Sequence, residues 1–505
     1  MELLNHLAVG ASVALTWNGL FYCFIGVTLG MFVGVLPGVG PLPAIAMLLP
    51  VTFYLDPIQA MIMLSGVYYG GQYGGKTASI LLNLPGTAPA AVTCLDGYPM
   101  AKQGRADIAL FVTTISSFVG SLLGIILVGG FAPLLAKFAL SFGAAEYFSL
   151  VVLALIGASA MGGSSFARSL SMVFFGLLLG IVGEDVTSGR ERFTFGIPQI
   201  ADRLDLVAVA MGLFGVAEVI STARKSRVHA AEGFSYKVRL PSREDMRRTW
   251  KPTLRGAGMG AICGILPGAG ATMASFLAYA VERWVSKTPE KFGTGMIEGV
   301  TAPEAADNAA AQSSFIPTLT LGIPGSAVMA VMLGALMIHG ITPTPRLITD
   351  NAELFWGLVV SFLLGNAILL VFNIPMIGIW VRLLQIPYTI LYPIILAFIC
   401  IGVYSINSSV FDIYLVLLFG LMGYGMRLLH LPPAPLILGF ILSPMLEQNF
   451  RRAMLLSRGS FEVFVERPIS AAFLAASALI VLAVLAATVR RALRNRKSIR
   501  KPVEV

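Results

Sequence analysis

The chain has 505 residues, 56% of them hydrophobic and only 12% charged, with a mean hydropathy of +0.82. A soluble domain is usually about a quarter charged, so a soluble enzyme or nucleic-acid-binding body is excluded. The net charge of +9 is local: 224–255 holds ten Lys/Arg against three acids and 490–505 holds seven against one, leaving the rest of the chain at −4. Basic segments beside apolar spans mark the cytoplasmic side of a membrane, with attraction to anionic lipid as a by-product.

A spanning helix needs roughly 20 apolar residues. In chain order, Leu3–Leu55, Ile108–Ala136, Tyr147–Ala167, Gly256–Val281, Asn308–Pro345, Leu354–Val381, Leu383–Phe411 and Ile469–Val489 contain no Asp, Glu, Lys or Arg. Only helices or closed barrels satisfy backbone polar groups in lipid, and long continuous apolar runs choose helices. The expectation is an all-α polytopic membrane protein with about ten to twelve transmembrane helices. The first residues, MELLNHLAVG, lack the basic start of a cleavable signal peptide, and are read as the start of the mature chain.

Two landmarks recur in the same order. GVLPGVG at 34–40 returns as GILPGAG at 264–270, and LNLPGTAPAAV from Leu82 returns as LGIPGSAVMAV from Leu321. Many transporters are built from such repeats. The expected organisation is a first repeat over 1–223, a basic cytoplasmic linker over 224–255, a second repeat over 256–466, and an extra helix with a basic tail over 467–505. A non-basic N-terminus and a basic linker give the first half an odd number of crossings, so the second half enters from the opposite face: an inverted repeat with a cytoplasmic C-terminus.

Each landmark is a Pro-Gly break inside an apolar run: Pro37, Gly38 and Gly40; Pro267, Gly268 and Gly270; Pro85 and Gly86; Pro324 and Gly325. Proline removes a backbone donor and clashes with the preceding turn, while glycine permits positive φ. A broken or re-entrant helix at membrane depth is tolerated only where it is buried in protein or lines a cavity. Symmetric pairs of breaks therefore point to a binding site rather than to simple kinks.

GGQYGGKT at 70–77 matches the phosphate-loop pattern, but the strand and soluble α/β context that its mechanism requires are missing, so no nucleotide is expected. Its glycines suit close helix packing or a backbone-lined path. Lys76 is costly in a membrane unless it snorkels or finds a partner.

Beside the breaks stand Asn83, Thr87, Thr93, Asn308, Gln312, Ser313, Ser314, Thr318, Thr320 and Ser326. Such groups either back-bond to helix carbonyls or meet a ligand. Asn83, Thr87 and Ser326 are the expected substrate ligands, placed where helix-end N–H groups attract an anion. Glu304 and Asp307 read either as solvent-exposed cap acids or as a cation or substrate site. The four cysteines and four histidines have no metal-ligand spacing, and neither H-E-x-x-H nor G-x-S-x-G occurs. No catalytic residues, cofactor or side-chain metal site are expected.

GVLPGVGPLPAIAMLLPVTFYLDP, YYGGQYGGKTASILLNLPGTAPAAVTCLDGYPMAKQGRA, GILPGAGATMASFLAYAVE and TAPEAADNAAAQSSFIPTLTLGIPGSAVMAVMLGALMIHGITPTPRL resemble the large membrane subunit of the tripartite tricarboxylate transporters, the TctA-like proteins. The resemblance implies a bacterial inner-membrane secondary transporter for citrate-like or other carboxylates. It also implies a small membrane subunit, a periplasmic substrate-binding protein, a sodium or proton gradient as drive, and alternating access of elevator type. Sodium can bind backbone carbonyls at broken helices without a signature side chain. The alternatives are a passive carboxylate channel and an intramembrane enzyme.

Two positions depart from the family pattern, which has a small hydroxyl residue at Lys76 and Asn at Asp307. Their separation in sequence is close to the interval between the matched landmarks, so they are expected to face each other across the pseudo-two-fold axis and pair. Contact of Lys76 with a substrate carboxylate, or two independent exposed charges, are the other readings.

Overall fold

The computed structural model describes residues 2–36, 40–161, 165–185, 188–201, 203–223, 240–266, 270–376, 378–379 and 388–499. The principal helices are α1 (Glu2–Ala14), α2 (Trp17–Val35), α3 (Pro41–Thr52), α4 (Pro57–Leu82), α5 (Thr93–Lys102), α6 (Ala106–Ala139), α7 (Ala144–Met161) and α8 (Phe166–Gly180). After them come α9 (206–223, with a π-helical turn at Met211–Val216), α10 (Arg243–Ile265), α11 (Gly270–Val285), α12 (Glu298–Ser313) and α13 (Phe315–Leu321). The chain ends with α14 (Ala327–Ile338), α15 (Ala352–Asn373), α16 (Tyr388–Asn407), α17 (Val410–Leu428), α18 (Pro433–Leu456) and α19 (Pro468–Ile499). Among the described residues, sheet is limited to Gly183–Glu184 paired antiparallel with Glu191–Arg192. This is an all-α polytopic fold.

Among the described residues, five helices are long and apolar enough to cross a membrane: Trp17–Val35, Ala106–Ala139, Ala352–Asn373, Val410–Leu428 and Pro468–Ala486. Further apolar helices are shorter, because the longest apolar runs are divided. Leu3–Leu55 becomes α1, α2 and α3, and Asn308–Pro345 becomes the end of α12, then α13 and α14. The basic segment is also not all linker. Ser242 and Asp245 form a capping box that starts α10 at Arg243.

The repeat is visible in how helices pack. A Cβ added at Gly26, Gly30 or Gly34 of α2 would stand 2.2, 2.4 and 2.2 Å from the carbonyl oxygens of Met63, Val67 and Gly71 on α4. In the second half, Gly256, Gly260 and Gly264 of α10 would meet those of Ala302, Ala306 and Ala310 on α12 at 2.1, 2.1 and 2.4 Å. Each α10 glycine follows its α2 counterpart by the interval that separates GVLPGVG from GILPGAG. Each α12 partner follows its α4 counterpart by the interval that separates LNLPGT from LGIPGS. Small-residue stripes of this kind let backbones approach within membranes.

Of the first pair of breaks, Pro37, Gly38, Pro267 and Gly268 lie outside the described residues. The glycines that follow are described: Gly40 and Gly270 have φ of 67° and 55°, each standing against the break downstream. A Cβ on Gly40 would be 3.8 Å from Gly86 O, and one on Gly270 would be 3.8 Å from Gly325 O.

The outer helices α7, α8, α18 and α19 pack together. Gly176 of α8 is pressed on the Leu436 carbonyl, Gly439 of α18 on that of Val173, and Arg467 bridges to Glu146 at 2.7 Å.

Candidate functional site

Asp56 caps α4, accepting from Ile58 N at 3.0 Å, with Pro57 at the first helical position. The helix ends at Asn83, whose φ of 57° and ψ of 28° are left-handed, a conformation that Asn tolerates better than most residues. The N–H groups of Asn83 and Leu84 both turn back to Ala78 O. In the second half, Gly322 ends α13 at φ 67° and ψ 23°, and the N–H groups of Gly322 and Ile323 both turn back to Pro317 O. The two breaks share one backbone path.

Downstream the halves diverge. Ser326 caps α14 and accepts from Met329 N at 3.3 Å, so it sits at a helix N-terminus as expected. Asn83 does not: it closes a helix C-terminus, which presents carbonyls rather than N–H groups. The residues after Thr87 form only a short 3₁₀ turn, Pro89–Ala91, before α5. The anion-attracting helix end expected at Asn83 and Thr87 is therefore absent there. Thr87 instead packs on Gly75, where an added Cβ would fall 2.7 Å from Thr87 Oγ1.

The glycines of GGQYGGKT hold helix contacts. A Cβ on Gly70 or Gly74 would strike the carbonyl of Val27 or Met31 at 2.6 Å, and one on Gly71 would meet Pro41 Cβ at 2.8 Å. One face of α4 is thereby sealed, and the other brings Gln72, Tyr73 and Lys76 into the protein interior.

Lys76 is 0% exposed, and Glu304 and Asp307 are each 1% exposed. That overturns the readings of these groups as snorkelling, solvent-exposed or cap charges. α12 carries its acids mid-helix and is buried from Gly299 to Ser313. The Lys76 ammonium donates to Ser117 Oγ at 3.2 Å and lies 4.5 Å from the centroid of the Tyr73 ring. Ser117 in turn donates to Glu304 Oε2 at 3.4 Å, and Thr93 Oγ1 donates to Glu304 Oε1 at 2.5 Å. Asp307 Oδ1 accepts from Gln72 Nε2 at 3.0 Å.

Lys76 lies within electrostatic reach of both carboxylates, Glu304 more strongly, but it makes no direct bond to Asp307. Nor are the two symmetry mates. With α4 and α12 in the register set by the LNLPGT and LGIPGS landmarks, the counterpart of Asp307 is Tyr68 and that of Lys76 is Phe315. Tyr68 and Phe315 do meet, with ring centroids 6.2 Å apart, so this aromatic contact between the halves is the counterpart of the Lys76–Asp307 neighbourhood, which also joins them. The Tyr68 side chain also lies near Ser314, Ser326 and Gln72, which brings the second break close to the charged cluster.

Back-bonding accounts for Ser313, Ser314, Thr318 and Thr320, whose hydroxyls donate to Ala310, Ala311, Ser314 and Ile316 carbonyls. Asn308 Nδ2 donates to Glu304 O at 2.9 Å. Thr77 Oγ1, Thr87 Oγ1, Gln72 Oε1, Asp307 Oδ2, Asn308 Oδ1 and both polar atoms of Gln312 are among the buried side-chain atoms without partners. Buried polar atoms are normally satisfied, so these atoms on α4, α12 and the first break are candidates for contact with a ligand, ion or proton.

Sequence reasoning passed over Gln72, Tyr73 and Ser117. Gln72 and Lys76 share one helix face at i and i+4, a signal that was present. Ser117, on α6, joins only through tertiary packing. Among the described residues no three His, Cys, Asp or Glu gather as metal ligands.

The sequence profile of the tripartite tricarboxylate transporter TctA family matches residues 20–438, spanning both pairs of breaks and the charged cluster. The chain belongs to that family. A relative from Agrobacterium vitis, described as an uncharacterised 52.8 kDa protein in the TAR-I ttuC′ 3′ region, is 48% identical over 487 residues, 96% of this chain and 97% of the relative. A second, an uncharacterised protein in the TAR-II ttuC′ 3′ region of the same organism, is 49% identical over 231 residues, 46% of this chain and 96% of the relative. No solved structure matches the chain. Membership makes this TctA-family chain a transporter component of a system with further parts.

Proposed function

We propose that this chain is the large membrane subunit of a binding-protein-dependent secondary transporter that imports citrate-like tricarboxylates or related carboxylates across the bacterial inner membrane. A periplasmic binding protein delivers the substrate and a small membrane subunit completes the complex. The two repeats are inverted in the membrane, the linker and C-terminal tail are cytoplasmic, and a sodium or proton gradient drives alternating access. The substrate sits at the paired breaks, on Asn83, Pro85, Gly86, Thr87, Pro324, Gly325 and Ser326.

The observation that carries this reading is the shared backbone path of the two breaks, both packed beside one buried cluster of charged and unpartnered polar groups. A carboxylate in a membrane interior needs such donors, and the free hydroxyl of Thr87 and amide of Gln312 supply them. The packing of α7, α8, α18 and α19 on one another favours an elevator, with the helices around the breaks moving against an outer scaffold. The test is uptake of labelled citrate into proteoliposomes holding the large subunit, the small subunit and the binding protein, under sodium and pH gradients. Accumulation above the equilibrium ratio is expected. A signal that never exceeds equilibrium would leave a passive channel. A thermal-shift screen of carboxylates on the binding protein names the substrate, since bound ligand raises apparent stability.

A further inference from the structure

The buried cluster contains one ammonium, Lys76, and two carboxylates, Glu304 and Asp307. Glu304 is provided for. Thr93 donates to one of its oxygens and Ser117 to the other, and Ser117 receives the Lys76 ammonium. Lys76 and Glu304 thus form a charge-balanced unit bridged by one hydroxyl.

Asp307 is the carboxylate left over. Its Oδ1 takes the Gln72 amide hydrogen at 3.0 Å, while its Oδ2 and the Gln72 Oε1 are both buried acceptors with no donor. A carboxylic acid and a primary amide complete their pairing with two bonds, N–H to carbonyl and O–H to carbonyl. Here the first is in place, and the two atoms that the second would join are both buried without a donor. One proton on Asp307 Oδ2 would give it a donor role, provide the missing partner for Gln72 Oε1, and bring the buried cluster to zero net charge.

From these contacts we infer that Asp307 binds and releases a proton paired with Gln72, and is the proton-coupling site of the transporter. The inference rests on the transporter reading and deepens it by naming the ion. Loading forms one O–H bond on Oδ2 with a proton taken from water on one side, and release breaks that bond and returns the proton to water on the other. The ionisable groups that face Asp307 are Lys76 and Tyr68 from α4 and Glu304 from α12 itself. Among the described residues, α5, α6, α10 and α11 bring no charged side chain into interaction with it.

Asp307→Asn is the informative variant, because asparagine reproduces the protonated acid: one acceptor for Gln72 Nε2 and one donor for Gln72 Oε1. In the full-length protein in detergent it should unfold at or above the wild-type midpoint. A drop well below wild type would mean that Asp307 is ionised and needed as a countercharge, and would overturn the inference. Infrared spectra at neutral pH should show a protonated-carboxyl band in the wild type that Asp307→Asn removes. A wild type without that band overturns the proposal independently of any substrate.

With citrate as the transport probe, a pH gradient should drive accumulation in wild type, and Asp307→Asn should reduce it to the equilibrium ratio. Accumulation driven by sodium and indifferent to pH would refute proton coupling and leave the transporter reading standing. No accumulation under either gradient would count against the transporter reading, and the infrared and stability arms would then decide the protonation of Asp307.

Discussion

Asp96→Ala should be among the most damaging single changes outside the charged cluster. Asp96 lies on α5 and is 0% exposed, yet its partners are far away in the sequence, in the second half of the chain. Oδ1 accepts from the N–H groups of Gly293, Gly295 and Met296 at 2.9, 2.8 and 2.8 Å, and Oδ2 accepts from the Tyr279 hydroxyl at 3.0 Å. Those N–H groups belong to the loop that leads into α12, whose N-cap Ile297 has no side-chain cap bond, so a carboxylate from the other half fixes that entry beside the positive end of the helix. Gly299 leaves room for it, since a Cβ there would fall 2.2 Å from Asp96 Oδ2.

Each buried donor left without a partner costs about 1–3 kcal/mol. Four are stranded by alanine, but the glycine loop can relax and admit water at some of them, which brings the expected loss to about 3–5 kcal/mol. Asp96→Asn keeps an acceptor for the loop and should lose roughly half as much. Unfolding of the purified full-length protein by SDS titration in mixed micelles measures both. Asp96→Ala within about 0.5 kcal/mol of wild type, the range of an ordinary surface change, would refute the idea that α5 anchors α12.

Gly260→Ala should cost about 1–3 kcal/mol by overpacking, since its Cβ would meet Ala306 O at 2.1 Å, whereas Gly258 has nothing within 4 Å and Gly258→Ala should be neutral or stabilise by up to about 1 kcal/mol. The same titration checks the contrast. Lys76→Met and Glu304→Gln should each cost about 3–5 kcal/mol by leaving a buried charge unbalanced, and the double variant should cost less than their sum by about 0.5–3 kcal/mol. Strict additivity in that cycle would mean that Ser117 does not couple them. Ser326→Ala removes the cap of α14 and should cost about 1 kcal/mol while lowering carboxylate uptake. Unchanged uptake in proteoliposomes would take Ser326 out of the substrate site.

Much of this protein follows from local sequence. Charge-free apolar runs demand helices in lipid, Pro-Gly pairs stop them, and the intervals between the matched landmarks foretold which helices would correspond. The paired left-handed ends at Asn83 and Gly322 follow from chemistry written at those positions, because Asn and Gly are the residues that tolerate positive φ. The polarity of each end was not legible. Whether Asn83 closes a helix or opens one depends on what the chain does afterwards, and a 3₁₀ turn follows Thr87 while a helix follows Ser326.

Nor did residue spacing reveal who meets whom. Lys76 and Asp307 lie near the repeat offset, yet their neighbourhood arises because α4 and α12 pass one another in the interior, and Ser117 enters from a third helix. Composition could show that charges would be costly inside this protein. Only the tertiary structure decided that Lys76 is balanced through Ser117 by Glu304 and that Asp307 is left facing an amide, because electrostatic pairing depends on distances that sequence separation does not set.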